Sequence, residues 1–329
     1  MKENQLRKDY VLDDYVIIAE RRGKRPHQFK KEPEQVSSAE HCPFCPGNEH
    51  MLPPIVEELP AKKDTKSGLP WLARVVPNKF AAVDTAVDAR LKRSDPFAVH
   101  AGAYGKHEVV IETPEHGVEL EDLDLEHLQA VLELYARRMR LIESMPHVRY
   151  TALFKNRGGE AGASISHAHA QLIGLNVFPP SVARLFGASY QYWIKNESCV
   201  FCDVIAKEKH SHRLVFINQS FVCIAPYASK FAFETWILPL RHVPAMDRLT
   251  KKEMGDLAHI LRKVLRRIDT LGNPPYNIVF FNDEEQGLFH FHLRILPRLT
   301  KWAGFEHEVS IPINPVPPEV AAKFLRGHE

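Results

Sequence analysis

The sequence predicts an α+β fold made of two tandem copies of one unit, each an antiparallel sheet with a helix packed against it. Three observations carry that expectation. The same residue types recur in the same order in both halves of the 329-residue chain. The interval between matching histidines is nearly constant, 51 residues from His116 to His167 and 48 from His242 to His290. Within each interval a helical pattern of apolar residues is followed by a β-rich run, and then by a strand with alternating histidines.

Taken in order, the first copy begins with Cys42-Pro-Phe-Cys45 and continues to ETPEHG, where His116 follows an apolar run. LEHLQAVLELYARRM repeats its apolar residues at helical spacing, VRYTALFKN reads as a strand, and NRGGEAGASISHAHAQLIGL supplies a loop and the last strand. The second copy runs Cys199-Val-Phe-Cys202, WILPLRHVP with His242, MGDLAHILRKVLRRI, YNIVFFN and NDEEQGLFHFHLRILPR. Each copy is thus strand, helix, strand, loop, strand. Side chains alternate across a strand, so His167, His169 and Gln171 are expected on one face and Ala168, Ala170 and Leu172 on the other. His290, His292 and Arg294 repeat the pattern. NVFPPSVARLFGASYQYWIKNES joins the copies, which places the domains at residues 1–196 and 197–329.

Composition narrows the function. At 44% apolar and 26% charged residues the chain is a folded globular protein, not a disordered one. Its 43 basic and 41 acidic residues are dispersed, so it has no field suited to a nucleic-acid backbone, and a small anionic ligand needs only local cations. The opening MKENQLRKDYVLDDYVIIAE carries charges through its apolar stretch, unlike a secretory signal, and no run is long enough to span a membrane. Four of the five cysteines fall in two Cys-x-x-Cys pairs, which is metal-ligand spacing and fits a reducing cytoplasm. Cys223, inside FVCIAPY, reads as a packed core thiol.

Two cysteines three apart close readily around one zinc ion, because a short loop aims both sulfurs inward. The duplication nominates His116 and His167 to complete the first site with Cys42 and Cys45, and His242 and His290 to complete a second with Cys199 and Cys202. His41 and His50 flank the first pair and compete for the same role. With His167 tied to a metal, His169 is held two residues later as a nucleophile on a rigid strand, able to form a phosphoramidate. The loop Asn156 to Ser164 brings glycines, Gly162 among them, that let backbone N–H groups approach a phosphate, and Ser164 adds a hydroxyl. Gln171 offers an amide donor to a non-bridging oxygen in the transition state. Arg22 and Arg25, in RRGKRP after an N-terminal strand, suit diphosphate oxygens, and Asn78 in RVVPNKF suits a base or ribose.

These residues, together with HCPFCPGNE, HEVVIETPEHG, KWAGFE and INPVPPE, resemble the galactose-1-phosphate uridylyltransferases of the histidine-triad superfamily across essentially the whole chain. The resemblance implies two histidine-triad-like repeats forming a half-barrel-like core, and a homodimer with residues of both subunits at each site. It implies a ping-pong cycle in which UDP-glucose gives UMP to His169 and galactose 1-phosphate then accepts it. On the matching positions it assigns nucleotide contacts to Arg22, Arg25, Asn78, Asn156, Gly162, Ser164 and Gln171, and structural zinc to Cys42, Cys45, His116 and His167. The second Cys2His2 set is complete, which predicts a second zinc per chain where some relatives hold iron with a glutamate.

The resemblance implies sugar contacts in the last segment of the chain, for which Lys301, Phe305 and Glu306 are the candidates. Near them the chain reads GFEHEVSIPINPVPPE where many relatives read GFE-x-GTG, and Glu308, Val309 and Ser310 therefore open the choice of hexose. An adenylyl-handling enzyme like the family's ADP-glucose phosphorylases is the near alternative. A hydrolase, or a non-catalytic zinc-stabilised nucleotide-binding protein, are the alternatives of other kinds.

Overall fold

The computed structural model describes residues 3–24, 38–61, 70–283 and 287–327; Arg25 lies outside them. The chain packs as two compact units, one of Val36–Lys155 with Ile165–Val182, the other of Met1–Gln35 with Asn156–Ser164 and Ala183–Glu329. Strands β1 (Gln5–Lys8) and β2 (Tyr15–Ile18) open the chain and belong to the second of these.

The first unit is built on β3 (Glu57–Pro60), β4 (Trp71–Pro77), a two-residue hairpin of β5 (Lys92–Arg93) and β6 (Val99–His100), β7 (His107–Ile111), helix α1 (Leu125–Glu143), β8 (Tyr150–Arg157) and β9 (His169–Leu175). Its sheet runs β8-β9-β7-β4-β3, antiparallel throughout. Asp124 caps α1 by accepting the His127 backbone N–H at 2.8 Å. The helix buries Leu128, Val131, Leu132, Tyr135 and Met139.

Register decides which side chains share a face. Ile111 pairs with His169, Val109 with Gln171, and His107 with Ile173, so His107, Val109 and Ile111 stand on the same face as His169 and Gln171. On that face Cys42, Phe44, Cys45, Val76, Val109 and Ile111 pack together. The opposite face carries Glu108, Glu112 and Lys155 toward α1. There Arg138 clamps Glu108 at 2.6 and 2.9 Å, Lys155 meets Glu112 at 2.6 Å and Glu119 at 2.9 Å, and the Tyr135 hydroxyl donates to Glu112. Burial works against the Lys155 charge, but the two carboxylates outweigh it and raise its pKa. The sheet therefore separates an ion-pair layer from the face that carries His169.

The second unit continues through α2 (Pro180–Asn196), α3 (Val200–Glu208), β10 (Leu214–Ile217), β11 (Phe221–Ile224), β12 (Thr235–Pro239), α4 (Lys251–Asp269), β13 (Tyr276–Phe281) and β14 (His292–Pro297). It ends with α5 (Gly304–Val309), β15 (Ile313–Asn314) and α6 (Pro318–Arg326). Its antiparallel run is β10-β11-β12-β14-β13, and β15 adds in parallel to β2 beside β1. Helix α4 starts on a capping box between Thr250 and Glu253 and buries Leu257, Leu261, Val264 and Ile268. Cys223 is wholly buried on β11. The expected order of strand, helix, strand, loop, strand recurs in both units. One boundary differs: β9 and β14 begin at His169 and His292, so His167 lies in a bend, and His290 directly after one, just before these strands. The Nδ1 atoms of His167 and His290 face the cysteines.

Replacing Lys155 by Met leaves Glu112 buried without its counter-charge. The expected loss is about 3–5 kcal/mol of folding stability, read as a lower midpoint in chemical denaturation.

Candidate active site and metal groups

The first Cys-x-x-Cys pair follows a single helical turn, Ala39–His41, and the Cys45 N–H donates to the Cys42 carbonyl at 3.2 Å. That tight turn aims both sulfurs the same way. Cys42 Sγ lies 3.6 Å from His167 Nδ1, and Cys45 Sγ lies 3.4 Å from His116 Nδ1 and 3.5 Å from His167 Nδ1. A tetrahedral ion with ordinary zinc–sulfur and zinc–nitrogen bonds sets sulfur–nitrogen edges of about 3.6 Å. The donor set fits a metal of that kind without rearrangement. In the second unit Cys199 Sγ is 3.9 Å from His290 Nδ1, while Cys202 Sγ is 3.6 Å from His242 Nδ1 and 3.5 Å from His290 Nδ1. All four donor atoms of each group lie within 4.8 Å of one another, so two groups can hold metal ions. His41 and His50 belong to neither group.

Backbone carbonyls fix which nitrogen of each ring faces the sulfurs. A carbonyl only accepts, so the His167 Nε2–H donates to Thr113 O at 2.7 Å and its Nδ1 lone pair is turned to the cysteines. His290 does the same with Pro239 O at 2.9 Å, and His242 with Gly287 O at 2.9 Å.

His169 opens β9 and is buried, with Phe44 edge-on 5.2 Å away. Its Nδ1–H donates to the His167 carbonyl at 2.8 Å, which leaves the Nε2 lone pair unprotonated. Burial pushes its pKa down to about 4, against a smaller opposing pull from the His167 carbonyl. The ring is therefore a neutral imidazole with its free electron pair on one defined nitrogen.

Its partners on the same face are Gln171, Asn78 and His107. His107 Nε2 is 2.9 Å from Gln171 Oε1, and Asn78 Nδ2 is 3.5 Å from that oxygen and 3.1 Å from His107 Nε2. The Phe80 N–H donates to Asn78 Oδ1 at 2.8 Å, which aims the asparagine NH2 toward the other two. The structure thus brings Cys42, Cys45, His116, His167, His169, Gln171 and Asn78 together in one unit. His107, inside HEVVIETPEHG, carries no mark in the sequence beyond its strand parity with Gln171.

The glycine-rich loop groups with the other unit. Gly158 has φ 81° and Gly162 φ 90°, values a side chain resists. Asn277 holds the loop by donating to Asn156 Oδ1 and to the Ala161 carbonyl, both at 2.7 Å, and Arg298 donates to Asn277 Oδ1 at 2.5 Å. Neither Asn277 nor Arg298 stands in a sequence pattern that marks it. Ser164 is exposed at the end of the loop, and Arg22 is half-buried in the helical turn Glu20–Lys24. Lys301 reaches Glu160 of the loop at 3.0 Å. Phe305 is exposed, whereas Glu306 is buried and accepts the Ala303 N–H at 3.0 Å, capping its own helix α5.

The second copy of the histidine strand is chemically different. His292 donates from Nδ1 to the His290 carbonyl at 2.9 Å, as His169 does to His167, but its Nε2 accepts from Arg294 Nε at 3.2 Å. The ring is sandwiched between Phe201 at 4.7 Å and Phe281 at 4.9 Å and is inaccessible. Its lone pair is consumed.

Models of the N-terminal domain of galactose-1-phosphate uridyl transferase match residues 1–179, and those of the C-terminal domain match residues 186–305. The chain belongs to the galactose-1-phosphate uridyl transferase family. Among curated relatives it is 32% identical to an ADP-glucose phosphorylase of Arabidopsis thaliana, over 98% of this chain and 93% of that protein. It is 28% identical to a galactose-1-phosphate uridylyltransferase of Thermotoga maritima, over 99% and 98%. Its fold superposes on the crystal structure of an Arabidopsis thaliana ADP-glucose phosphorylase with bound ADP-glucose at TM-score 0.83 and 31% identity, covering 98% of this chain and 99% of that one. Two groups that can hold a metal, and one buried neutral histidine beside the first, thus sit in a chain that spans nearly all of the relatives it matches.

The lowered pKa of His169 has a measurable consequence. In nitrogen-15 NMR its Nε2 is expected to keep the shift of an unprotonated nitrogen as pH falls through the usual imidazole value of 6.5, charging only as pH approaches 4.

Proposed function

We propose that this enzyme passes a nucleoside monophosphate from a nucleotide sugar to a sugar phosphate through a covalent intermediate on His169. The donor and acceptor are those of the family's name, UDP-glucose and a hexose 1-phosphate such as galactose 1-phosphate. One observation carries the reading: His169 is neutral, its Nδ1–H is tied to the His167 carbonyl at 2.8 Å, and its Nε2 pair is left for attack.

In the first half-reaction that pair forms the bond to the α-phosphorus as the bond from phosphorus to the bridging oxygen breaks. The electrons leave with hexose 1-phosphate, and the proton on Nδ1 stays while the His167 carbonyl shares the new positive charge. In the second, an oxygen of the acceptor phosphate attacks the same phosphorus and the pair returns to Nε2. The NH2 of Gln171 donates to a non-bridging oxygen in both. Arg22, Arg25, Asn78, Asn156, Gly162 and Ser164 take the nucleotide, and Lys301, Phe305 and Glu306 the sugar.

Zinc is the metal we assign to both groups, Cys42, Cys45, His116 and His167, and Cys199, Cys202, His242 and His290, because two thiolates and two imidazoles at tetrahedral spacing suit it. An ion held by these side chains would supply structural cross-linking, in the first group through His167, whose carbonyl accepts the His169 Nδ1–H, and in the second through His290. The reading also includes a homodimer, as the resemblance implies, and a cytoplasmic location, which fits five cysteines with no disulfide. It places domain boundaries at 1–196 and 197–329.

A second reading has a specific observation behind it. The identity to an ADP-glucose phosphorylase, 32%, exceeds the 28% to a uridylyltransferase over comparable spans. The same His169 chemistry then carries AMP, and Glu308, Val309 and Ser310 stand where the hexose contacts differ.

Intact mass after separate incubation with UDP-glucose and ADP-glucose decides the base. A gain of one nucleotidyl group is expected, absent in His169→Ala; no gain with either donor rejects the mechanism. Gln171→Ala is expected to slow adduct formation about 10²–10³-fold, measured by rapid quench. Elemental analysis should return zinc at two ions per chain, matching the two donor groups; one ion would demote the second group.

A further inference from the structure

We infer that His107 is a positioning residue that sets the direction of the Gln171 amide, turning its NH2 outward to the transferring phosphoryl group. This rests on the nucleotidyl-transfer reading and deepens it. A glutamine side chain is useful to a phosphoryl oxygen in only one of its two amide orientations, because the carbonyl end would repel the charge that builds there. Something must hold the carbonyl end away.

The Ala82 backbone N–H donates to His107 Nδ1 at 3.2 Å. A backbone amide nitrogen has no accepting pair, so Nδ1 must be the unprotonated nitrogen and Nε2 carries the hydrogen. That hydrogen is directed at Gln171 Oε1, 2.9 Å away. Asn78, whose own orientation is fixed by the Phe80 N–H on its Oδ1 at 2.8 Å, has its NH2 3.1 Å from His107 Nε2 and 3.5 Å from Gln171 Oε1. With the hydrogen on Nε2, only the glutamine oxygen can accept from it, so it is a second donor directed at that oxygen. Two donors converging on Oε1 leave Gln171 one stable orientation, with Nε2 away from His107. Because Gln171 follows His169 by two on β9, the outward NH2 lies on the face of the attacking nitrogen.

His107 has the burial this role needs. It is 8% exposed, and desolvation lowers its pKa against the smaller raising effect of Gln171, which keeps the ring neutral and the single tautomer intact. Glutamate 108 beside it points to the opposite face, toward Arg138, and does not compete. The orientation therefore passes from a fixed backbone N–H, through one imidazole, to one amide, with no charged group in the path.

The test is a double-mutant cycle on the single-turnover rate of His169 labelling, using UDP-glucose and ADP-glucose as donors. His107→Ala is expected to lower the saturating rate about 10–100-fold, the usual cost of removing a residue that orients a reacting one, with little change in the donor concentration for half-saturation. In a Gln171→Ala background the same change should have no further effect, and His107→Gln, which keeps an N–H donor, should recover part of the loss. Equal losses in both backgrounds would show a general structural role and overturn the inference. If the unaltered enzyme takes no label from either donor, the functional reading fails by itself. The tautomer is then still decided by nitrogen-15 NMR, where a hydrogen on His107 Nδ1 overturns the assignment and one on Nε2 upholds the orientation of Gln171.

Discussion

The site depends on one peptide carbonyl. His167 turns its ring nitrogen to two thiols and its Nε2–H to Thr113, so its ring is held from both sides, and His169 two residues on is held by pairing with Ile111. The His167 carbonyl oxygen is then a fixed acceptor 2.8 Å from His169 Nδ1. An imidazole in water exchanges tautomers freely; here one hydrogen bond selects the tautomer whose lone pair is on Nε2, and burial keeps that pair unprotonated. The Cys/His group is thus coupled to the tautomer of His169 through the His167 backbone and not through contact with the His169 ring.

The two faces of the first unit's sheet divide the work. One holds the cysteines, His169, Gln171 and His107 in a largely apolar setting with Phe44, Val76 and Ile111. The other holds a buried ionic layer between the sheet and α1, where Lys155, Glu112, Glu119 and Tyr135 satisfy one another. Strand alternation alone achieves the separation, since Glu112 and Lys155 are sheet neighbours of Ala168 and Ala170 and not of the histidine.

Much of this was legible in the sequence because it is periodic or duplicated. The Cys-x-x-Cys pairs, the matched histidine intervals and the His-x-His strands name eight donors, and the structure gathers those eight into two groups. The face shared by His169 and Gln171 follows from period two and holds, although the strand starts two residues later than expected. What stayed hidden has a common character. His107, Asn277 and Arg298 act through residues distant in sequence, over separations of 64, 121 and 21 positions, and a single side chain with one remote partner leaves no local pattern. The engagement of Glu306 with its own helix start was equally invisible, because the same Glu three residues into a helix reads as a ligand contact or as a cap.

The second copy of the histidine strand is held by its packing. Arg294 occupies the position that corresponds to Gln171, stacks over Trp236 at 4.1 Å and Phe281 at 4.6 Å, and donates into the one nitrogen that would have to attack. Returning that ring to service needs the arginine removed, the aromatic walls withdrawn and an entrance opened. Each change alone uncovers apolar surface or strands a polar group in the core, so each lowers stability before any benefit exists. The two copies are therefore not interchangeable: packing locks the second imidazole in place, and no single substitution frees it without a loss of stability.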